Sequence, residues 1–244
     1  MGHLSASRLL VVWEQGLSAT PVERALLLLS ADQAEESWDA LSRLSIGKRD
    51  ARLLKMRAET FGSSLQAMCA CPHCGEVVEM SLNVGDMLVY MPEAEDGLLS
   101  LNKGNYHVYF RLPDSRDLAA VAAVGDRSLA ARQLFQQCLI EARQDGKIVS
   151  SEALPSDVID AVADHIARVD SQSNIEFEMT CPACSHTWVS TFDIAAFFWL
   201  EISAWAKRML REVHMLACAY GWSEETILAL SPARRQFYLE MVSG

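Results

Sequence analysis

The sequence predicts an α+β fold, mainly helical, around a small antiparallel β core. Two turns place the core: Cys71-Pro72-His73-Cys74 and Cys181-Pro182-Ala183-Cys184 share a C-P-x-C pattern, lie 107 residues apart, and each separates two strand-like segments. The rest of the chain repeats apolar residues at helical spacing behind recognisable caps, which supplies the helical part. Together the two turns offer four thiolates, the number that a tetrahedral structural zinc ion binds. The core is therefore read as zinc-ribbon-like, built from two knuckles and interrupted by a long insertion. Five segments follow: an N-terminal helical region (1–62), a first knuckle (63–85), a mixed, mainly helical insertion (86–172), a second knuckle (173–193) and a C-terminal helical region (194–244).

The N-terminal helices come first. Thr20 is an N-cap, Pro21 takes the first helical position and Glu23 closes a capping box, starting a helix through Ala25–Leu29. A second helix spans about 36–44, with Trp38, Leu41 and Leu44 on one side. A third spans about 48–61, with Ala51, Leu54, Ala58 and Phe61 turned inward, Arg49, Arg52 and Lys55 turned outward, and Gly62 as its stop. Around the first knuckle, Leu65–Cys69 leads in and Val77–Val84 leads out. The outgoing segment alternates Val78, Met80, Leu82 and Val84 with polar residues, as a half-buried strand does.

Within the insertion, residues 91–105 read as a loop and 106–112 as a strand. Asp114-x-x-Asp117 opens a helix to Val124, and residues 128–143 read as another. Pro155 starts a helix carrying Val158, Ile159, Val162 and Ile166 on one stripe. Its carboxylates Asp157, Asp160 and Asp164 form a solvated face. The insertion holds 14 acidic against 8 basic residues, which reads as an acidic surface. Strands over 174–180 and 187–192 flank the second knuckle. A long amphipathic helix then runs from Ala195 to Gly221 with Phe198, Trp205, Met209, Val213 and Leu216 inward. Ser223 caps a short helix, and Ser231-Pro232 starts the last one.

Composition narrows the function. The formal charge of −11 is dispersed, and no Lys/Arg run is longer than Arg234-Arg235, so nucleic acid is not expected as a partner. The first sixteen residues lack a signal-peptide pattern, and the apolar stretch 194–205 is interrupted by Glu201 and too short to span a bilayer. A cytoplasmic protein without membrane insertion is expected. Seven cysteines in a reducing compartment point to metal in preference to disulfides. No G-x-S-x-G, P-loop, H-E-x-x-H or dinucleotide fingerprint occurs, and neither an enzymatic activity nor a small-molecule substrate is expected.

The metal ligands are read as Cys71, Cys74, Cys181 and Cys184, holding one structural zinc ion. Gly75 suits the left-handed position after the second ligand of its knuckle; Ser185 suits it less well. Cys-Pro-His-Cys also serves some thiol oxidoreductases, but there a helix N-terminus activates the first thiol, whereas a strand pattern follows Cys74. Cys69 is a spare ligand or a small buried residue; His186 could replace a cysteine ligand. Cys138 and Cys218 fall on apolar helix faces and read as core. At the C-terminus, Trp222, Arg234, Arg235, Phe237 and Tyr238 are residue types enriched at interface hot spots. The alternative is that Trp222, Phe237 and Tyr238 close the helical core.

Four stretches carry a resemblance: Pro21–Leu29, Gly47–Leu54, Phe110–Ser115 and Arg211–Glu224, with a closing pattern at Ser231–Leu239. With the two C-P-x-C turns, they resemble the T-even-phage-type baseplate hub assembly family of contractile phage tails and phage-tail-like contractile injection systems. The resemblance runs from about residue 20 to the end and is most specific at the C-terminus. It implies a non-enzymatic assembly factor or minor baseplate component, with the baseplate hub or other tail proteins as partners. It also implies residence in the cytoplasm during assembly or in the assembled tail particle. Phage members of the family can lack the cysteine turns, so the zinc rests on this sequence. A zinc-ribbon adaptor or regulatory module of an unrelated pathway is the other reading.

Overall fold

The computed structural model describes residues 5–32, 36–89 and 97–243. In chain order these form α1 (Ala6–Gly16), α2 (Pro21–Asp32), α3 (Trp38–Ser42) and α4 (Ile46–Phe61), then β1 (Ser64–Ala70), β2 (Val77–Asn83) and the single turn α5 (Val84–Met87). Next come β3 (Leu99–Lys103), β4 (Tyr106–Phe110), α6 (Ser115–Val121), α7 (Arg127–Cys138), β5 (Leu139–Gln144), β6 (Lys147–Ile148) and α8 (Ser156–Val169). The chain closes with β7 (Ile175–Thr180), β8 (Thr187–Phe192), α9 (Ile194–Tyr220), α10 (Glu224–Leu228) and α11 (Pro232–Ser243). These elements belong to two compact units, Met1–Glu36 with Ile194–Gly244, and Ser37–Asp193.

The first unit is helical. The expected capping box of α2 is present: the Glu23 N–H donates to Thr20 Oγ1, and the Thr20 N–H donates to Glu23 Oε2 at 2.7 Å. Long helix α9 buries Phe198, Met209, Val213 and Leu216, as its periodicity predicts. Leu10, Ala206 and Met209 form one cluster with Trp13 and Trp205 against it. Val213, Leu216, Ile227 and Leu239 form another, flanked by Trp222 and Tyr238. Cys218, expected in the core, is exposed on α9 instead, because the buried stripe there passes through Val213 and Leu216.

Among the described residues, the second unit contains three antiparallel sheets. Four strands in the order β3-β4-β5-β6 bury Val108, Phe110 and Ala142 against Phe135 of α7 and Val158 and Val162 of α8. Asp157, Asp160 and Asp164 are exposed on the opposite side of α8. Hairpins β1-β2 and β7-β8 stand as separate two-stranded sheets.

Three expectations need correction. Part of the expected loop 91–105 is strand β3, paired from Leu99↔Phe110 to Lys103↔Tyr106; residues 91–96 lie outside the described part. The helix expected over 128–143 stops at Cys138, and Leu139–Gln144 becomes β5 because it pairs with both β4 and β6. Helix α4 is rotated from its expected face: Arg49, Asp50 and Arg57 are buried beside Leu53 and Leu54, while Ala51, Ala58 and Phe61 are only half-buried. The buried cation Arg49 donates to Asp50 at 2.7 Å, which offsets the cost of taking its charge out of water.

Candidate metal centre

Each knuckle is the tip of a hairpin, and the two tips have the same backbone. In the first, the Cys71 N–H donates to the Glu76 carbonyl (2.8 Å) and the Gly75 N–H to the Cys71 carbonyl (2.9 Å). In the second, the Cys181 N–H donates to the His186 carbonyl and the Ser185 N–H to the Cys181 carbonyl, both at 2.9 Å. Position 75 is left-handed (φ 78°), and so is position 185 (φ 59°), although serine pays a steric cost there that glycine escapes. The pairings behind the tips also correspond: Ala70↔Val77 and Leu65↔Leu82 in one, Thr180↔Thr187 and Ile175↔Phe192 in the other. An offset of 110 residues thus relates the two hairpins.

The tips bring the four cysteine sulfurs within 4.8 Å of one another. Cys71 Sγ lies 3.7 Å from Cys184 Sγ, and Cys74 Sγ lies 3.5 Å from Cys181 Sγ. A metal–sulfur bond of about 2.3 Å places tetrahedral sulfurs roughly 3.8 Å apart, so this arrangement fits a four-thiolate ion. Cys71 and Cys181 are buried, Cys184 is half-buried and Cys74 is exposed. Burial raises the Cys71 thiol, but the Cys74 and His73 N–H groups and the neighbouring Cys74 and Cys181 thiols outweigh it, bringing Cys71 down to about 7. Cys74 receives the Glu76 N–H, which lowers it, yet the Cys184 and Cys181 thiols push it up to about 12. Cys184 is also raised: the His186 N–H pulls it down, while burial and the Cys181 and Cys71 thiols push harder the other way. Without a cation, the four sulfurs cannot all hold negative charge. A divalent cation would remove that conflict and deprotonate them together.

Cys69 is half-buried on β1, outside the four-sulfur group. His186 is stacked between His73 (5.4 Å) and Trp188 (6.2 Å), so its ring serves a three-ring ladder beside the sulfurs. A strand, not a helix, follows Cys74, so the turn lacks the helix N-terminus by which dithiol oxidoreductases activate their first thiol.

The hairpin roots are tied by polar residues that no local motif singles out. Asp170 (1% exposed) follows α8 and accepts from Ser45 Oγ and from the Gly47 N–H, both at 2.9 Å, at the start of α4. Buried Gln172 accepts from the Val89 N–H (2.8 Å) and donates to the Met87 carbonyl (3.2 Å). Arg57 donates to the carbonyls of Gly62 (2.6 Å) and Ser64 (2.8 Å), fixing the turn from α4 into β1. No short-range motif announces such contacts, because the partners lie more than 80 residues apart in the first two cases.

The C-terminal candidates separate by environment. Arg235 is buried and donates to Glu212 Oε2 at 2.7 Å. Trp222 is half-buried, stacked on Tyr220 at 4.7 Å and edge-on to Tyr238 at 4.9 Å. Arg234 and Phe237 face solvent, Phe237 at 61% exposure. Elsewhere, a cavity of about 500 Å³ in the second unit is lined by Arg43, Arg111 and Arg116. Each of these guanidiniums is already paired, with Asp39, Asp117 and Asp114 respectively. Among the described residues, no helix is long and apolar enough to cross a membrane.

A family model described as T4 bacteriophage base plate protein matches residues 20–199, which include both knuckles and everything between them. The match starts where the sequence resemblance starts. It stops before Arg211–Glu224 and Ser231–Leu239, the stretches on which that resemblance leaned most. No curated protein and no solved structure matches the chain.

Proposed function

The chain belongs to the T4 bacteriophage base plate protein family, and from that premise we propose that it is a non-enzymatic assembly factor or minor component of the baseplate hub. The tail would be that of a contractile phage or of a phage-tail-like injection system, and the partners other tail proteins. The family match over most of the chain carries this reading.

In the same proposal, Cys71, Cys74, Cys181 and Cys184 hold one zinc ion. An all-sulfur tetrahedral donor set suits zinc, which here would be structural, because all four positions are taken by protein. Backbone N–H groups aimed at Cys71, Cys74 and Cys184 would disperse the thiolate charge around it. In small zinc modules the ion supplies roughly 10–16 kcal/mol of apparent folding free energy, comparable to a whole domain's stability of about 5–15 kcal/mol. Its place here is to join hairpin tips more than 100 residues apart in sequence.

The exposed part of the C-terminal set, Arg234 and Phe237, is the proposed docking surface. Trp222, Tyr238 and Arg235 would support it from behind. Co-purification with baseplate proteins tests the role directly: the unaltered chain should retain them, and a chain carrying Arg234→Ala and Phe237→Ala, both at exposed positions, should fold but lose them. Retention by that variant would rule out the docking surface. Mass spectrometry of purified tail particles decides between a resident component and a factor that leaves.

A further inference from the structure

The environments of the four sulfurs differ in a way that a purely structural clamp does not require. Cys74 is an exposed residue, and its sulfur lies 3.5 Å from that of Cys181, a buried residue of the other hairpin. A second cross-hairpin pair, Cys71 with Cys184 at 3.7 Å, likewise joins a buried residue to a half-buried one. Both pairs need only roughly 1.5 Å of closing motion to reach a disulfide bond length of about 2.05 Å.

We propose that this centre is a redox-convertible latch: a hydroperoxide reaching Cys74 drives formation of two disulfides between the hairpins, Cys74–Cys181 and Cys71–Cys184, which replace the metal as the tie and release it. The metal part rests on the zinc reading above. In the first step the Cys74 thiolate attacks the peroxide O–O bond, forming a sulfenic acid and an alkoxide, or hydroxide from hydrogen peroxide, which takes a proton from solvent. The Cys181 thiolate then displaces the sulfenic hydroxyl, which leaves as hydroxide and is likewise protonated by solvent, and the S–S bond closes. Two thiolates have lost two electrons to one peroxide. A second peroxide enters at half-buried Cys184, and Cys71 resolves it in the same way. A disulfide within one C-P-x-C turn would leave the tips untied, whereas crosswise pairing keeps them joined after the ion has gone.

Trypsin makes the outcome readable. No Lys or Arg lies between Arg57 and Lys103, or between Arg168 and Lys207, so Cys71 and Cys74 share peptide 58–103 while Cys181 and Cys184 share 169–207. The full chain with Cys218→Ser, which removes an exposed thiol outside the centre, is treated with two equivalents of hydrogen peroxide beside a metal-sensing dye. The expected result is release of one metal equivalent and loss of four thiols. Peptides 58–103 and 169–207 should then migrate as one species without reductant, with fragmentation placing the bonds at 74–181 and 71–184. Separate peptides, each about 2 Da lighter, would show closure within the knuckles and overturn the latch. Persistence of all four thiols at that dose, any bond to Cys69, or metal release with sulfinic acids in place of disulfides would overturn it as well. Protein purified without any metal would overturn the zinc reading alone, since joined or separate peptides still decide the pairing.

Discussion

Replacing Gly47 by alanine isolates the tie at the hairpin roots. A methyl group on Gly47 would sit 2.3 Å from Asp170 Oδ1 and 2.8 Å from its Cγ, with the Ser173 backbone nitrogen at 3.1 Å. The carboxylate has little freedom to step aside: Ser45 holds Oδ1, the Gly47 N–H holds Oδ2, and the residue is 1% exposed. Giving up one hydrogen bond to a charged group costs about 2 kcal/mol. Overpacking adds about 2 kcal/mol, and the better helix propensity of alanine returns about 1 kcal/mol. The net expectation is destabilisation by about 3 kcal/mol. In urea this lowers the unfolding midpoint of the second unit by about 1 M at an unchanged slope. Gly125→Ala, where the new methyl meets nothing within 4 Å, is the control and should stay within about 0.5 kcal/mol of wild type. The clash with Asp170 is tested by repeating Gly47→Ala in an Asp170→Ala background, where the cost should vanish. Equal cost in both backgrounds, or a wild-type midpoint for Gly47→Ala, would refute the reasoning.

Further outcomes follow from the other sites. Cys71→Ser and Cys181→Ser should each lose about one zinc equivalent by elemental analysis, whereas Cys69→Ala and His186→Ala should keep it; full zinc in either serine variant removes the four-cysteine centre. Arg235→Ala breaks a buried pair with Glu212 and should cost about 3 kcal/mol by denaturation, while exposed Phe237→Ala should change stability by less than about 0.5 kcal/mol and weaken only partner capture. Burial pushes Asp50 from 3.8 up to about 6 against the pull of Arg49, so the folded state holds a proton that the unfolded state has already released. Stability from this group is therefore present below about pH 4 and lost as pH rises to about 6. Asp170, raised by burial despite its Gly47 and Ser45 bonds, acts in the same direction. Asp50→Asn should lose less stability than wild type between pH 4 and 6.5, and parallel curves would contradict this assignment.

Local signals were read well from the sequence, and long-range ones were not. The capping box at Thr20–Glu23, the Asp114–Asp117 box of α6 and the alternation in β2 are decided within a few residues, and each is found in place. The four cysteines were legible because a paired motif announces them. By contrast, Leu139–Gln144 is composed largely of helix formers, and cross-strand pairing on both sides overrode that preference. A signal for it did exist: Asp145-Gly146, both at positive φ, is a strong two-residue hairpin turn. Leu99 and Leu101 likewise alternate as a strand, a signal masked by the glycines at 97 and 104 that favour a loop reading of 91–105. Arg49, Asp50 and Asp170 could not have been placed from sequence, because a charged residue becomes a core residue only once its partner is known.

The division of the chain has a consequence for synthesis. The helical unit is assembled from Met1–Glu36 and Ile194–Gly244, with all of Ser37–Asp193 emerging from the ribosome between them. At about 5–20 residues per second, α1 and α2 wait roughly 8 to 30 s before the first residue of α9 is made. During that interval Leu9, Leu10, Leu26, Leu28 and Leu29, all buried in the finished protein, have no α9 to pack against. The second unit has no such delay, since every residue it uses is contiguous. Of the two units, the one begun first is therefore the last to be completed, and its first two helices keep apolar faces without their α9 partner throughout synthesis of the other.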